Sequence, residues 1–161
     1  MNKKSLIFSY ALTVLSVATL LIMLMPILDG LGMTMFGMAK SADKWYNFEE
    51  YLWGIGAIIA WVCLPLLIVS SILTFLSACD VIKCKVLDKI LYIVNIVLAS
   101  LVVAVIVNYT LGYARSLTHT DGIQLFKGTT YFKYVTPYYF WHCILSIGML
   151  VVAIFTKKKS K

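Results

Sequence analysis

Charge is what this sequence of 161 residues has least of. Asp, Glu, Lys and Arg make up 13% of it, against roughly 25% in a soluble domain. Hydrophobic residues make up 61%, with a mean hydropathy of +0.91. No charged residue occurs in 5–28, 51–79, 90–114 or 134–156, runs of 24, 29, 25 and 23 residues. A helix crosses a bilayer with about 20 mainly apolar residues. Each run is therefore long enough for one crossing. This pattern excludes a soluble enzyme, a DNA-binding protein and a disordered tail. It predicts an all-α integral membrane protein, an antiparallel four-helix bundle with both termini cytoplasmic. The expected spans are about 5–28, 52–78, 90–113 and 137–156. Outer loops are expected at about 29–51 and 114–136, with a short hairpin at 79–89.

Carboxylates are missing from every span, and ion-coupled export usually needs one inside the bundle. Cysteine is missing from both outer loops. That excludes a quinone-linked disulfide enzyme, which needs a reactive C-x-x-C pair at the outer edge. It also excludes the claudin and tetraspanin types of four-span protein, whose outer loops hold cysteine pairs. The only close pair, Cys79 and Cys84, lies in the hairpin, where a zinc site would find only Asp80 and Asp88 nearby. Cys63 and Cys143 read as small packing residues. No serine–histidine–aspartate set, paired carboxylates, phosphate loop or H-x-x-x-H pair is present, so the chain reads as no enzyme, with no cofactor.

The charge that is present is one-sided. The termini and hairpin hold nine lysines (3, 4, 83, 85, 89, 157, 158, 159 and 161) against Asp80 and Asp88, a net of +7. The two outer loops balance five basic residues against five acidic ones. Lys and Arg accumulate on the cytoplasmic side of a membrane, which sets the expected orientation. The net charge is then a sorting signal and a contact for lipid headgroups, not a nucleic-acid surface. The apolar run after Lys3 and Lys4 exceeds the roughly 7–15 residues of a cleavable signal core. It reads as an uncleaved first span, although Gly37-Met38-Ala39 resembles a cleavage site. Asn108-Tyr109-Thr110 fits a glycosylation triplet too close to the bilayer for modification. The terminal Lys158-Lys159-Ser160-Lys161 resembles a di-lysine retrieval signal, but short loops and the lack of a lumenal disulfide favour a bacterial plasma membrane.

Within the spans, small residues set the helix faces. Ser5, Ser9, Thr13 and Ser16 share one face of the first. The second carries Gly56, Ala60, Cys63, Leu67, Ser70, Thr74 and Ser77 at helical spacing. In lipid, small side chains let helix backbones approach. This stripe predicts the most buried helix, with a kink at Pro65. It could pack inside the chain or against another protein. The third span places Ser100, Ala104, Asn108 and Gly112 on one face and Asn95 on another. The fourth opens with Thr136 as an N-cap and Pro137 at the first helical position.

Aromatic residues crowd the outer side. Trp45, Tyr46, Phe48, Tyr51 and Trp53 fall in or beside the first loop. Phe126, Tyr131, Phe132, Tyr134, Tyr138, Tyr139, Phe140 and Trp141 fall in or beside the second. Trp and Tyr favour membrane interfaces, so anchoring is one reading. The other is a docking surface, centred on Trp45, Tyr46, Trp53, Tyr138, Tyr139 and Trp141. His142 is the one ionisable side chain expected within a span, about one turn below the outer surface, either as a functional group or as interfacial packing. Met23, Met25, Met33, Met35 and Met38 gather thioethers that suit Cu(I), with His119 and His142 as further ligands, or else fill space at the membrane edge.

The expected function is non-enzymatic: an accessory or assembly subunit that binds another integral membrane protein through its aromatic outer loops and a small-residue helix face. The alternative is a self-associated channel or transporter, with Asn95, Ser100, Asn108 and His142 along a polar path between protomers. Metal handling on the outer face ranks third, its metal unknown.

Overall fold

The computed structural model describes the backbone of residues 3–25, 48–121 and 136–156, and side chains within 4–25, 54–110 and 136–156. Four helices carry these segments: α1 (Lys3–Ile22), α2 (Phe48–Ala78), α3 (Lys85–Asp121) and α4 (Pro137–Phe155). Among the described residues there is no strand. Each helix is long and apolar enough to cross a membrane. The helices form a ring, with α1 against α2 and α4, and α3 against α2 and α4.

Two helices outrun the spans expected from charge. α2 begins at Phe48, and α3 continues through the expected edge near 113 to Asp121. Part of what reads as outer loop is therefore helical backbone. Bilayer thickness limits the apolar length of a helix, and its hydrogen-bond ladder continues into water wherever no breaker intervenes. α2 is unbroken through Pro65, which lies on its exposed side.

The end of α2 is fixed by backbone geometry. Asp80 adopts φ 61°, a left-handed conformation that Asp tolerates better than most residues. From there the Asp80 N–H donates to the Ser77 carbonyl at 3.0 Å and the Val81 N–H to that of Leu76 at 3.1 Å. This pair of bonds closes a helix end in a Schellman arrangement and turns the chain toward α3. At the start of α4, Thr136 is extended (φ −75°, ψ 160°) and Pro137 takes the first turn. The N-cap position is the expected one, but the Thr136 side chain makes no capping bond. Its carbonyl instead accepts the Tyr139 N–H at 3.1 Å.

The outside of the ring is aliphatic: Ile7, Val14, Leu21, Val62, Leu66, Val69, Ile93 and Ile147 are all exposed. The inside mixes small, apolar and hydroxyl-bearing side chains. α2 has the largest buried share of the four spans, 44% against 33% for the next. Its stripe is the reason. Gly56, Ala60, Cys63, Leu67, Ser70 and Ser77 are buried, facing α1 and α3 within the chain. The Gly56 backbone lies so close to α3 that a Cβ there would stand 3.5 Å from both Asn108 Nδ2 and Val105 Cγ1.

Candidate functional site

The ring encloses a row of polar side chains, most of them held by their own helices. Ser9, Thr13, Ser16, Thr19 and Thr74 each donate to the carbonyl one turn back, at 2.7–3.0 Å. Such back-bonding lets a hydroxyl sit in lipid without an orphaned donor. A smaller set reaches across the ring. Ser5 Oγ donates to the Thr156 carbonyl at 3.0 Å, Thr13 Oγ1 and Ser71 Oγ lie 2.9 Å apart, and Asn95 Nδ2 donates to Thr74 Oγ1 at 2.9 Å. Thr110 pairs with Tyr139, and Ser77 Oγ donates to the Asp88 carboxylate.

Among the described residues, three buried side-chain polar atoms make no hydrogen bond: Ser70 Oγ, Asn95 Oδ1 and His142 Nε2. His142 is 0% exposed. Its Nδ1 lies 3.2 Å from Ser146 Oγ, one turn further along α4. The imidazole therefore belongs to the bundle interior, not to the watery interface suggested by its place near the start of the helix. The buried face of α4 is Tyr139, His142, Ser146, Met149 and Ala153. That alternation of threes and fours is visible in the sequence and marks His142 as inward-facing.

The four residues assigned to a polar path separate. Asn95 is fully buried and tied to α2, Asn108 is half-buried beside Gly56, Ser100 is exposed on the outer surface, and His142 lies in the interior on α4. They line no common outer face on which protomers could meet. Among the aromatic residues, Tyr139 is buried, whereas Tyr138, Phe140 and Trp141 are exposed. Trp45 and Tyr46 lie outside the described residues, as do Met33, Met35 and Met38; Trp53 and His119 lie on described helices, but their side chains are outside the described set. Met23 is buried and Met25 exposed. No three His, Cys, Asp or Glu side chains gather to hold a metal among the described residues.

Sequence reasoning weighed Asp88 only as hairpin charge and as one of two carboxylates near a zinc site at Cys79 and Cys84. It heads a face of α3 that continues through Leu91, Tyr92 and Asn95, at the spacing of successive turns. Its carboxylate meets Ser77 beside a small cavity lined also by Ser5, Thr74, Leu91, Tyr92 and Thr156. No family model, no curated protein and no solved structure matches this chain.

Proposed function

We propose that the chain is a non-enzymatic accessory or assembly subunit of a larger membrane complex. In this reading it sits in a bacterial plasma membrane as an antiparallel bundle, with both termini and the 79–89 hairpin on the cytoplasmic side. The one-sided charge supports the orientation. The cross-helix pairs support the antiparallel course, since numbers rise on one helix as they fall on the next: Ser5 with Thr156 and Leu15 with Gly148, then Tyr10 with Phe75 and Thr13 with Ser71. The small-residue face of α2 is consumed inside the chain, so docking falls to the outer aromatics alone. The observation that carries the reading is the exposure of Tyr138, Phe140 and Trp141 together in the first turns of α4. Large exposed aromatics are the usual anchors of a protein interface.

The test is extraction of the tagged chain from its native membrane in gentle detergent, followed by native mass spectrometry. A larger integral membrane protein is expected in stoichiometric amount, with recovery falling at least about tenfold in a Tyr138→Ala/Trp141→Ala variant. Recovery of the chain alone, or as a clean homo-oligomer, overturns the reading.

The polar interior favours a second reading, transport. It moves the path from between protomers to the inside of one subunit, past Asn95, Ser70 and His142. Loss of solute flux in Asn95→Leu, with the fold retained, would support that alternative. Metal handling at the methionines remains the third reading.

A further inference from the structure

We infer that the connection between α2 and α3 is a clip for an anionic phospholipid, with Val81 and Val86 set among the acyl chains and Lys83 and Lys89 on the phosphate. Val81 and Val86 are 69% and 66% exposed, more than any other large hydrophobic side chain among the described residues. Neither belongs to the middle of a crossing. Val81 falls between the spans Gly54–Ala78 and Lys85–Thr110, and Val86 is the second residue of the latter. Open water around both valines is unfavourable. A connection lying in the headgroup layer removes that contact and leaves the lysines at the level of the phosphates.

The outside of α3 continues this surface. Val86, Ile90, Ile93 and Val97, which are 50–66% exposed, form a row at successive turns. Lys89 is exposed and stands one turn from both Val86 and Ile93. Acyl chains lying along the row bring a phosphate to the lysines, whose long stems carry the ammonium groups outward. The nearby carboxylates, Asp80 and Asp88, are half-buried, and Asp88 meets Ser77. Lys85 is engaged within the chain, so the site does not depend on it. Juxtamembrane lysines favour anionic headgroups, because a zwitterionic headgroup carries its own ammonium beside the phosphate. A lipid is favoured over a protein partner because the apolar row runs without a break into the crossing part of α3. The inference rests on neither functional reading above.

The test uses the purified, delipidated full chain in mild detergent, titrated with phosphatidylglycerol or with phosphatidylcholine of the same acyl chains. Native mass spectrometry reads the affinity for the first lipid bound. Phosphatidylglycerol is expected to bind at least about tenfold more tightly, and Lys83→Gln/Lys89→Gln should remove that preference. Lys158→Gln/Lys159→Gln takes away the same charge beyond α4 and should bind as the parent does. Val81→Ser/Val86→Ser should weaken binding about fivefold without changing Tm in detergent, since both side chains are exposed. Equal affinity for the two lipids would overturn the proposal. Equal weakening by the two lysine pairs would mean diffuse attraction to the whole basic end and would overturn it too. Unaltered binding in the valine variant would mean that the valines meet something other than lipid, with the same consequence.

Discussion

His142→Ala is expected to destabilise the protein by about 2–4 kcal/mol, the range for opening a cavity in a packed interior. The ring is fully enclosed, and its removal leaves Ser146, itself 0% exposed, beside the void. His142→Leu should behave differently. Leucine fills most of the same space and removes Nε2, a buried nitrogen with no hydrogen-bond partner. Burying such a group costs about 1–3 kcal/mol, so its loss offsets the imperfect fit, and Ser146 can back-bond to its own helix. Reversible unfolding in mixed micelles distinguishes the two substitutions. The leucine variant should remain within about 1 kcal/mol of the parent. Equal, large losses in both would mean that the imidazole makes a specific polar contact on which the fold depends.

The second large effect is expected at Gly56. A methyl group there meets Asn108, Val105 and Tyr109 at 3.5–3.7 Å, which is ordinary contact distance. Gly56→Ala should therefore be tolerated, with a gain of up to about 1 kcal/mol from helix propensity. Gly56→Leu has no such room. Its branched end must displace Val105 or Tyr109, both of them buried, or separate α2 from α3. The cost should be about 3 kcal/mol, seen as a lower unfolding midpoint with helix content retained. If leucine were accepted as readily as alanine, the two helices would not be in close contact at this point.

These two sites illustrate what could be read from the sequence. The four spans were legible because a bilayer imposes one length on every crossing and excludes charge over that length. The inward face of α2 was legible as a row of small residues. Whether that row met another helix of the same chain or a separate protein was not, since both use the same close-packing chemistry. Helix ends were less legible. The charge-free runs were expected to end at the membrane edge, but α3 continues to Asp121, and nothing in a hydropathy run marks how far a helix continues beyond its apolar part.

The surroundings of His142 and Asp88 were not legible for a shared reason. Each was placed by depth along its helix, near the outer surface or in the hairpin, and depth says nothing about rotation around the axis. The rotational signal was present in both cases. On α4 it is Tyr139, His142, Ser146 and Met149; on α3 it is Asp88, Leu91 or Tyr92, and Asn95. Reading polar residues by face as well as by depth would have put the imidazole inside and the carboxylate beside Ser77.

The central claim is a four-span bundle whose hairpin, with Asp88 and its cavity, faces the cytoplasm. Cys84 gives the most direct test, because it is exposed in the short connection between α2 and α3. A variant carrying Cys63→Ala, Cys79→Ser and Cys143→Ala retains that thiol alone. Treated with a membrane-impermeant maleimide, it should stay unlabelled in intact cells and react fully in inverted membrane vesicles. Labelling of Cys84 in intact cells would place the hairpin outside and contradict the account.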